Sequence, residues 1–579
     1  MLKTNLGKII LAFFIFIAAS VYITYPLIVN LGSLTTGFGD ELVISWIMNW
    51  VIHALITNPL SLFQANIYYP YTNTLAYSDL HLISSIMAAP IVLITREPIV
   101  AINFTMIVSL ILLPFGIFLL SYYLTKNFAT SLIAGFLVVF SPAVLDKRIH
   151  LQMLALEWIP FSIIFFLNFV RSKQFKFISL AVIFSVIQIY NCFMAGYFLI
   201  LFYFVYFTYV YFFDGAKFIL FKDKKILLLL LGAIVAILPF VIPYYQVSKE
   251  FSYTRDIRDT IHFALQPEDL LYPNETTRLQ KPLLYLSNRN KYPENAEIKT
   301  GYLGFVFTVL SICALIYVAK NRKNKNNGII NIFLIASILG LLLSFGPFLH
   351  FGRVTIHHPL PIPLPYLPFY YLAPGFKGFR NSSRFEMMSI IFIAPVIAYM
   401  LADFSKKKVK NIGNTFFGLL ILLIVLEYNF PMQFYPALQA KNFPKIYSYL
   451  NSLPTNSKII IMPIFNWNMW GNGMEIEREF YSTVEYRAMV NGSSGFSPPP
   501  WQNSVSYLHI NFPNKKSIEK LALLKLDYII VDKKTYDLGF SKREEKEDGM
   551  EIVNELNENN KLSLVKKIDN FYVFKLKHK

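Results

Sequence analysis

Asp40 and Glu41 are adjacent acids that follow the first long apolar run, residues 9–29, across a short glycine-rich stretch, Gly37-Phe38-Gly39. About 20 residues at 1.5 Å rise cover the hydrocarbon core of a bilayer, so such a run is long enough to span it. The acid pair should therefore emerge at the far membrane face. Paired carboxylates at a wet boundary can accept a proton or hold a divalent metal. Asp40 is equally suited to cap a helix starting near Leu42, and both roles can hold together.

Other residues could join this chemistry. Asp146 and His150 are four apart, so on a helix they could face one way and share a metal with Asp40. The alternative is that Asp146 pairs with Lys147 or Arg148. Asp79 and His81 form a similar pair. Neither makes the dense acidic cluster of a preformed Ca²⁺ site, which leaves dependence on a divalent metal such as Mg or Mn open. Arg380 and Arg384, with Lys377 close by, precede a late apolar run. Guanidinium groups suit phosphate oxygens, and snorkelling to lipid headgroups is the competing account. Arg255, Arg258 and His262 share their loop with Asp256 and Asp259, which favours local ion pairs. Glu157 lies beside Trp158 inside an apolar run, where acids are costly and often functional, with snorkelling again the alternative. His357 and His358 sit in a proline-rich stretch that reads as an extended outer loop.

The elements that must position these groups are mostly membrane spans. Of 579 residues, 55% are hydrophobic and 15% charged, against roughly 25% charged in soluble domains. The net charge of +18 does not point to nucleic acid, because most Lys and Arg fall between apolar runs, where they set topology. Cys192 and Cys313 lie in or beside apolar runs, which argues against a disulfide framework or a Cys-based zinc site. About eleven spans are expected, over residues 9–29, 98–124, 129–145, 151–170, 176–192, 195–213, 226–246, 302–319, 329–349, 385–403 and 413–430. The first reads as an uncleaved helix rather than a signal peptide. Residues 82–95, interrupted by Pro90, read as re-entrant or interfacial.

With the N-terminus inside, six inner connections are all basic, carrying among others Lys126, Arg171, Lys224, Lys320 and Lys406. Loops 31–81, 247–301 and 350–384 and everything after 431 then lie outside. Leu42 to Thr57 reads as an amphipathic helix along the outer leaflet, with Trp46 and Trp50 on one face, or as a surface helix packed on the bundle. Beyond Phe430 the apolar runs stop. Helices over 444–453, 516–525 and 544–558 and strands over 457–462, 528–531, 561–568 and 571–577 are expected there. The domains expected are a membrane part, 1–430, and an extracytoplasmic α/β part, 431–579.

An apolar first helix, then Gly-Asp-Glu, then a Trp-bearing helix resembles the membrane glycosyltransferases of the GT-C fold, which include protein O-mannosyltransferases, aminoarabinose transferases and oligosaccharyltransferases. Its bacterial members are also similar at Ile67-Tyr68-Tyr69-Pro70, His150-Leu151-Gln152, Gly378 through Phe385, and Asn491-Gly492-Ser493-Ser494-Gly495-Phe496. The resemblance implies an α-helical polytopic, GT-C-like membrane protein with a C-terminal α/β domain. It implies transfer of a hexose or pentose, with inversion, from a polyprenyl-phosphate-linked donor to a glycan, lipid or protein acceptor in the cell envelope. Asp40 would be the base and Glu41 its helper. Arg380, Arg384 and Lys377 would hold the donor phosphate, and Trp467, Trp470 and Trp501 would stack on sugars or fill the domain core. No Walker A or dinucleotide fingerprint appears, so a preactivated donor must supply the bond energy. The alternatives are a flippase of lipid-linked sugars, which needs polar groups at midspan such as Gln188, and a non-catalytic envelope-assembly protein.

Overall fold

The computed structural model describes residues 6–213, 223–271, 301–321, 327–351, 354–355, 361–407, 410–427, 432–539 and 548–577. His357, His358, and the greater part of the connection 247–301, expected to lie outside, are not among them. Two compact units emerge: residues 1–28, 105–239 and 253–433, and residues 29–104, 240–252 and 434–579.

The first unit is helical. Each of the eleven expected spans coincides with a helix. By length and composition six qualify to cross a membrane: Leu6–Thr24, Val100–Thr125, Leu151–Ser172, Phe193–Phe213, Lys224–Glu250 and Ser382–Lys406. The pair Phe128–Val139 and Pro142–Ile149, bent by 49°, makes a seventh if it is one span. The other expected spans are apolar helices of 10–17 residues, short of the length that crosses the hydrocarbon unaided. The chain is a multi-pass membrane protein.

Helix Glu386–Lys407 lies at the centre of this unit and packs on Gly328–Ser344 and Phe128–Val139. Small residues permit the approach. A Cβ at Gly340 would lie 2.8 Å from Ser389 N, and the Ser337 and Ser389 hydroxyls are 3.0 Å apart. Small residues and hydroxyl contacts are the usual means of joining helices in lipid, where apolar burial alone drives little association. Helix Lys224–Glu250 instead exposes Leu228, Leu231, Val235 and Leu238, as a lipid-facing helix should.

The second unit contains a five-stranded sheet in the order Ala488–Met489, Lys458–Met462, Tyr528–Asp532, Phe571–Leu576, Leu562–Ile568. The first three are parallel, with Ile459 opposite both Met489 and Tyr528, and the last two antiparallel. Strand Tyr528–Asp532 is buried on both faces, as its continuous apolar run requires. The closing hairpin turns at Asp569-Asn570, with Asp569 at φ +50°, the left-handed conformation a two-residue turn needs.

Residues 31–81 belong to this unit. Met489 N donates to Asn66 O (2.7 Å), Tyr69 N to Met489 O (2.9 Å) and Tyr68 N to Asn491 O (3.1 Å), so residues 66–69 extend the sheet edge. Helix Asp40–Thr57 packs on helices Leu82–Thr95 and Asn472–Tyr481. It is buried on nearly every side, Trp46 and Trp50 included, and Trp50 Nε1 donates to Leu62 O at 2.8 Å. Of the two readings open for this helix, packing against protein is the one observed. Its polar residues Ser45 and Asn49 do not mark a wet face, because both donate to Pro98 O, at 2.6 and 2.9 Å. A helix apolar on most sides is an interior helix.

Candidate active site

Short pairing of Leu34–Thr35 with Tyr435–Pro436 anchors the chain leading to the acid pair. Asn103 Nδ2 holds Leu31 O and Leu34 O, both at 2.8 Å. Helix Asp40–Thr57 then starts with Gly39 as its N-cap, so Asp40 is not the cap that its position allowed. It is the first helical residue and is exposed, where the helix dipole favours an anion. Glu41 turns inward and is buried, and Thr36 Oγ1 donates to its Oε1 at 3.3 Å. Burial raises the Glu41 carboxyl above its ordinary range and the charge of Asp40 adds to this, while the Thr36 hydroxyl and nearby backbone amides oppose it. A Cβ at Gly37 would run into the Glu41 carboxylate, which explains the glycine. The two acids thus differ in kind: one accessible, one enclosed. Glu41→Gln should keep the Thr36 hydrogen bond and remove a buried charge. Its thermal midpoint at pH 7.5 should match or exceed that of wild type by scanning fluorimetry.

Asp79 is half-buried. His81 is buried, heads helix Leu82–Thr95 at φ +51°, and accepts from Ser85 through its carbonyl (2.9 Å). Among the described residues its Nδ1 meets no hydrogen-bond partner, and burial pulls its pKa down to about 4.

The motifs from the two ends of the chain interlock in this unit. Tyr68, fully buried at φ +59°, meets Ser497 Oγ at 3.0 Å and stands edge-on to Trp501 at 4.7 Å. Tyr77 stands edge-on to Phe496 at 5.3 Å. A Cβ at Gly492 would lie 3.0 Å from Ile67 Cβ, and one at Gly495 would lie 3.0 Å from Tyr77 O. Gly492→Val should therefore cost about 1–3 kcal/mol by overpacking. A thermal midpoint equal to wild type would contradict this packing.

Beneath lies a buried polar network at the carboxyl ends of the parallel strands. Arg478 Nη1 donates to Glu475 Oε1 (2.9 Å) and Pro463 O (2.5 Å), and its Nη2 is 3.5 Å from Asp532 Oδ2. Asn491 pairs with both the N–H and C=O of Ile461, at 2.7 and 2.9 Å, and donates to Glu475. Asn491-Gly492-Ser493 is therefore interior structure. Ser493 N donates to Glu479 Oε2 at 2.6 Å, and burial holds the Glu479 carboxyl well above the ordinary carboxylate range. Burial likewise pushes Glu485 up to about 8, against the Arg487 amide and guanidinium.

The sign of the pH effect follows. A carboxyl with a raised folded pKa binds more protons folded than unfolded, so its contribution falls as pH rises from about 4.5 to about 8. His81, with a lowered pKa, acts oppositely, but only below about 6.5. The unit should lose stability between pH 6.5 and 8, and Glu485→Gln should flatten that slope in a pH series of thermal midpoints.

In the helical unit, Asp146 pairs with Arg148 at 3.5 Å. It opens a 3-10 turn, Asp146–Ile149, rather than an α-helix. His150 lies just beyond that turn, at φ −117° and ψ 72°, and precedes helix Leu151–Leu154, so the two residues are not four apart on one α-helix. His150 itself is buried. Among the described residues no three His, Cys, Asp or Glu side chains gather as a metal site.

Lys377, Arg380 and Arg384 lie along one segment ahead of helix Glu386–Lys407. Arg380 precedes the turn Ser382–Phe385, so it is not on one helical face with Arg384. Its guanidinium lies 4.6 Å over the Phe263 ring, and Lys377 lies 5.5 Å over Tyr371. Arg255 N donates to Lys377 O at 2.9 Å and Tyr370 OH to Arg255 O at 2.7 Å, tying the two segments together. Arg258 pairs with Asp256 at 3.0 Å, the local ion pair its loop favoured.

Glu157 is fully buried rather than snorkelling, on the side of Ser109. Glu386, which sequence reasoning passed over, is also fully buried and feels the charges of Lys147, Asp269 and Asp146. Its signal was the one that marked Glu157: an acid inside an apolar run. Glu427 was missed too. It receives Val306 N at 2.9 Å and Tyr302 OH at 3.3 Å, closing the start of helix Phe305–Lys320.

Residues 29–427 match the family described as a domain of unknown function, DUF6311. The chain belongs to that family. No curated protein matches this DUF6311 chain. Among solved structures it is similar to the arabinofuranosyltransferase AftD from Mycobacteria, at 11% identity and a TM-score of 0.54, covering 99% of this chain and 40% of that one. A mutant form of AftD gives 10% identity and a TM-score of 0.55, covering 98% and 41%. The apo oligosaccharyltransferase of Archaeoglobus fulgidus is similar at 12% identity and a TM-score of 0.46, covering 92% and 70%. The chain spans about 40% of the length of AftD. The AftD likeness shows the fold, which is GT-C.

Proposed function

We propose that this DUF6311 chain is a glycosyltransferase that moves a hexose or pentose from a polyprenyl-phosphate-linked donor to a glycan, lipid or protein acceptor. The transfer takes place on the extracytoplasmic face, in the plasma membrane, with the N-terminus cytoplasmic and the α/β part outside. What carries the reading is the accessible Asp40 carboxylate, fixed in the first turn of a buried helix in the first loop of a GT-C fold. Asp40 takes the proton of an acceptor hydroxyl as its oxygen attacks the anomeric carbon. The sugar–phosphate bond breaks, and its electron pair leaves with the lipid phosphate, so direct transfer inverts the anomeric centre. Cationic groups are needed to neutralise the departing phosphate. Glu41 holds the turn that presents Asp40.

The transport alternative loses its main residue. Gln188 Nε2 donates to Ala155 O (3.0 Å) and its Oε1 accepts from Trp158 N (3.2 Å), so it serves a helix junction. Mass spectrometry of surface glycans from cells with and without the protein should show one glycosylated species lost on removal and regained on restoration. Identical glycan profiles would sink the proposal.

A further inference from the structure

Of the three tryptophans singled out in the α/β part, Trp501 is interior, with Nε1 donating to Val490 O at 2.8 Å. Trp467 is 44% and Trp470 90% exposed. Both sit on the loop that follows strand Lys458–Met462, at the carboxyl ends of the parallel strands, where open α/β sheets place their ligands.

The base of this loop is firmly built. Phe465 is fully buried, its ring 5.2 Å from His509, whose Nδ1 meets Ile464 O at 3.0 Å. Asn466 Nδ2 donates to Ser506 Oγ at 2.9 Å, its Oδ1 accepts from Asn468 N at 3.1 Å, and its carbonyl accepts from Met469 N at 3.0 Å. Gly471 lies against the Phe465 ring, so closely that a Cβ would collide with it. The two indoles therefore project from a preorganised support, which lowers the ordering cost of binding.

We propose that this loop is a binding platform for a neutral carbohydrate chain, separate from the transfer centre. Indole faces are large and apolar with a polar edge, and they match the C–H faces of sugar rings. The exposed amide of Asn468 lies between the two indoles in sequence and can exchange hydrogen bonds with hydroxyls. No charged residue occurs from Pro463 to Met474. An interfacial membrane anchor pairs its aromatics with Lys or Arg, and it would have to desolvate Asn468. Both points favour a glycan over a lipid surface.

The test uses the full-length protein in nanodiscs on an array of immobilised oligosaccharides covering α- and β-linked hexoses, pentoses and amino sugars. The expected result is saturable binding to at least one of them, weakened at least tenfold in Trp467→Ala/Trp470→Ala, whose thermal midpoint stays at the wild-type value. Asp40→Asn protein should bind as wild type does, whatever its transfer rate, which separates this site from the proposed reaction. Binding to no glycan overturns the proposal. So does undiminished glycan binding by the double variant, or a variant whose one defect is weaker association with phospholipid vesicles.

Discussion

Asp40→Asn should lower sugar transfer by about 10²–10⁴-fold, the range a positioned general base contributes. The substitution keeps shape and hydrogen-bond capacity and removes only the ability to take a proton. Asp40 is exposed and is not the helix cap, so the thermal midpoint should stay within a degree or two of wild type. Glu41 cannot take over, because it is turned into the protein and held by Thr36 while burial favours its neutral form. Release of polyprenyl phosphate from a labelled donor, followed in a single turnover by full-length protein in nanodiscs, measures the step directly. A rate within twofold of wild type would remove Asp40 from the chemistry. A large loss of rate accompanied by a large loss of stability would show that Asp40 serves the fold.

Hydropathy located every expected helix because the solvent itself imposes that signal: a span must be apolar along its length. The α/β part was legible for a similar reason, since Ile459 to Met462 and Tyr528 to Val531 are apolar runs of strand length bounded by turn residues. Helix Asp40–Thr57 could be read as lying on the leaflet or as packed on protein. Trp46 and Trp50 carry the same composition whether they meet headgroups or a protein interior, and only contacts from residues hundreds of positions away decide it, such as Tyr486 at 5.6 Å from Trp50. The acid pair was found, with Asp40 as base and Glu41 as helper, but the enclosure of Glu41 was not foreseen. Glu41 is enclosed because Thr36 and Gly37 fold back over it, and that depends on backbone conformation. Likewise, Ile67-Tyr68-Tyr69 and Asn491-Gly492 were noticed separately, while their mutual packing required the sheet edge to exist.

Arg478→Met should be the most destabilising change in the α/β unit. Arg478 is buried between Glu475 and Asp532, and removing it leaves two enclosed carboxylates without their counter-charge. Breaking a buried pair from one side costs about 3–5 kcal/mol, which for a unit of this size lowers the thermal midpoint by roughly 6–20 °C. The cost comes from stranded charge rather than lost volume, since methionine fills much of the same space. Glu475→Gln placed on top of Arg478→Met should therefore recover part of the loss: glutamine keeps an acceptor for Phe465 N, at 3.2 Å in the wild-type structure, and needs no cation. Additive losses in the double variant would mean that the pair acts through packing alone. Scanning fluorimetry of the full-length protein distinguishes the cases, with Trp501 in the interior of the same unit as the reporter.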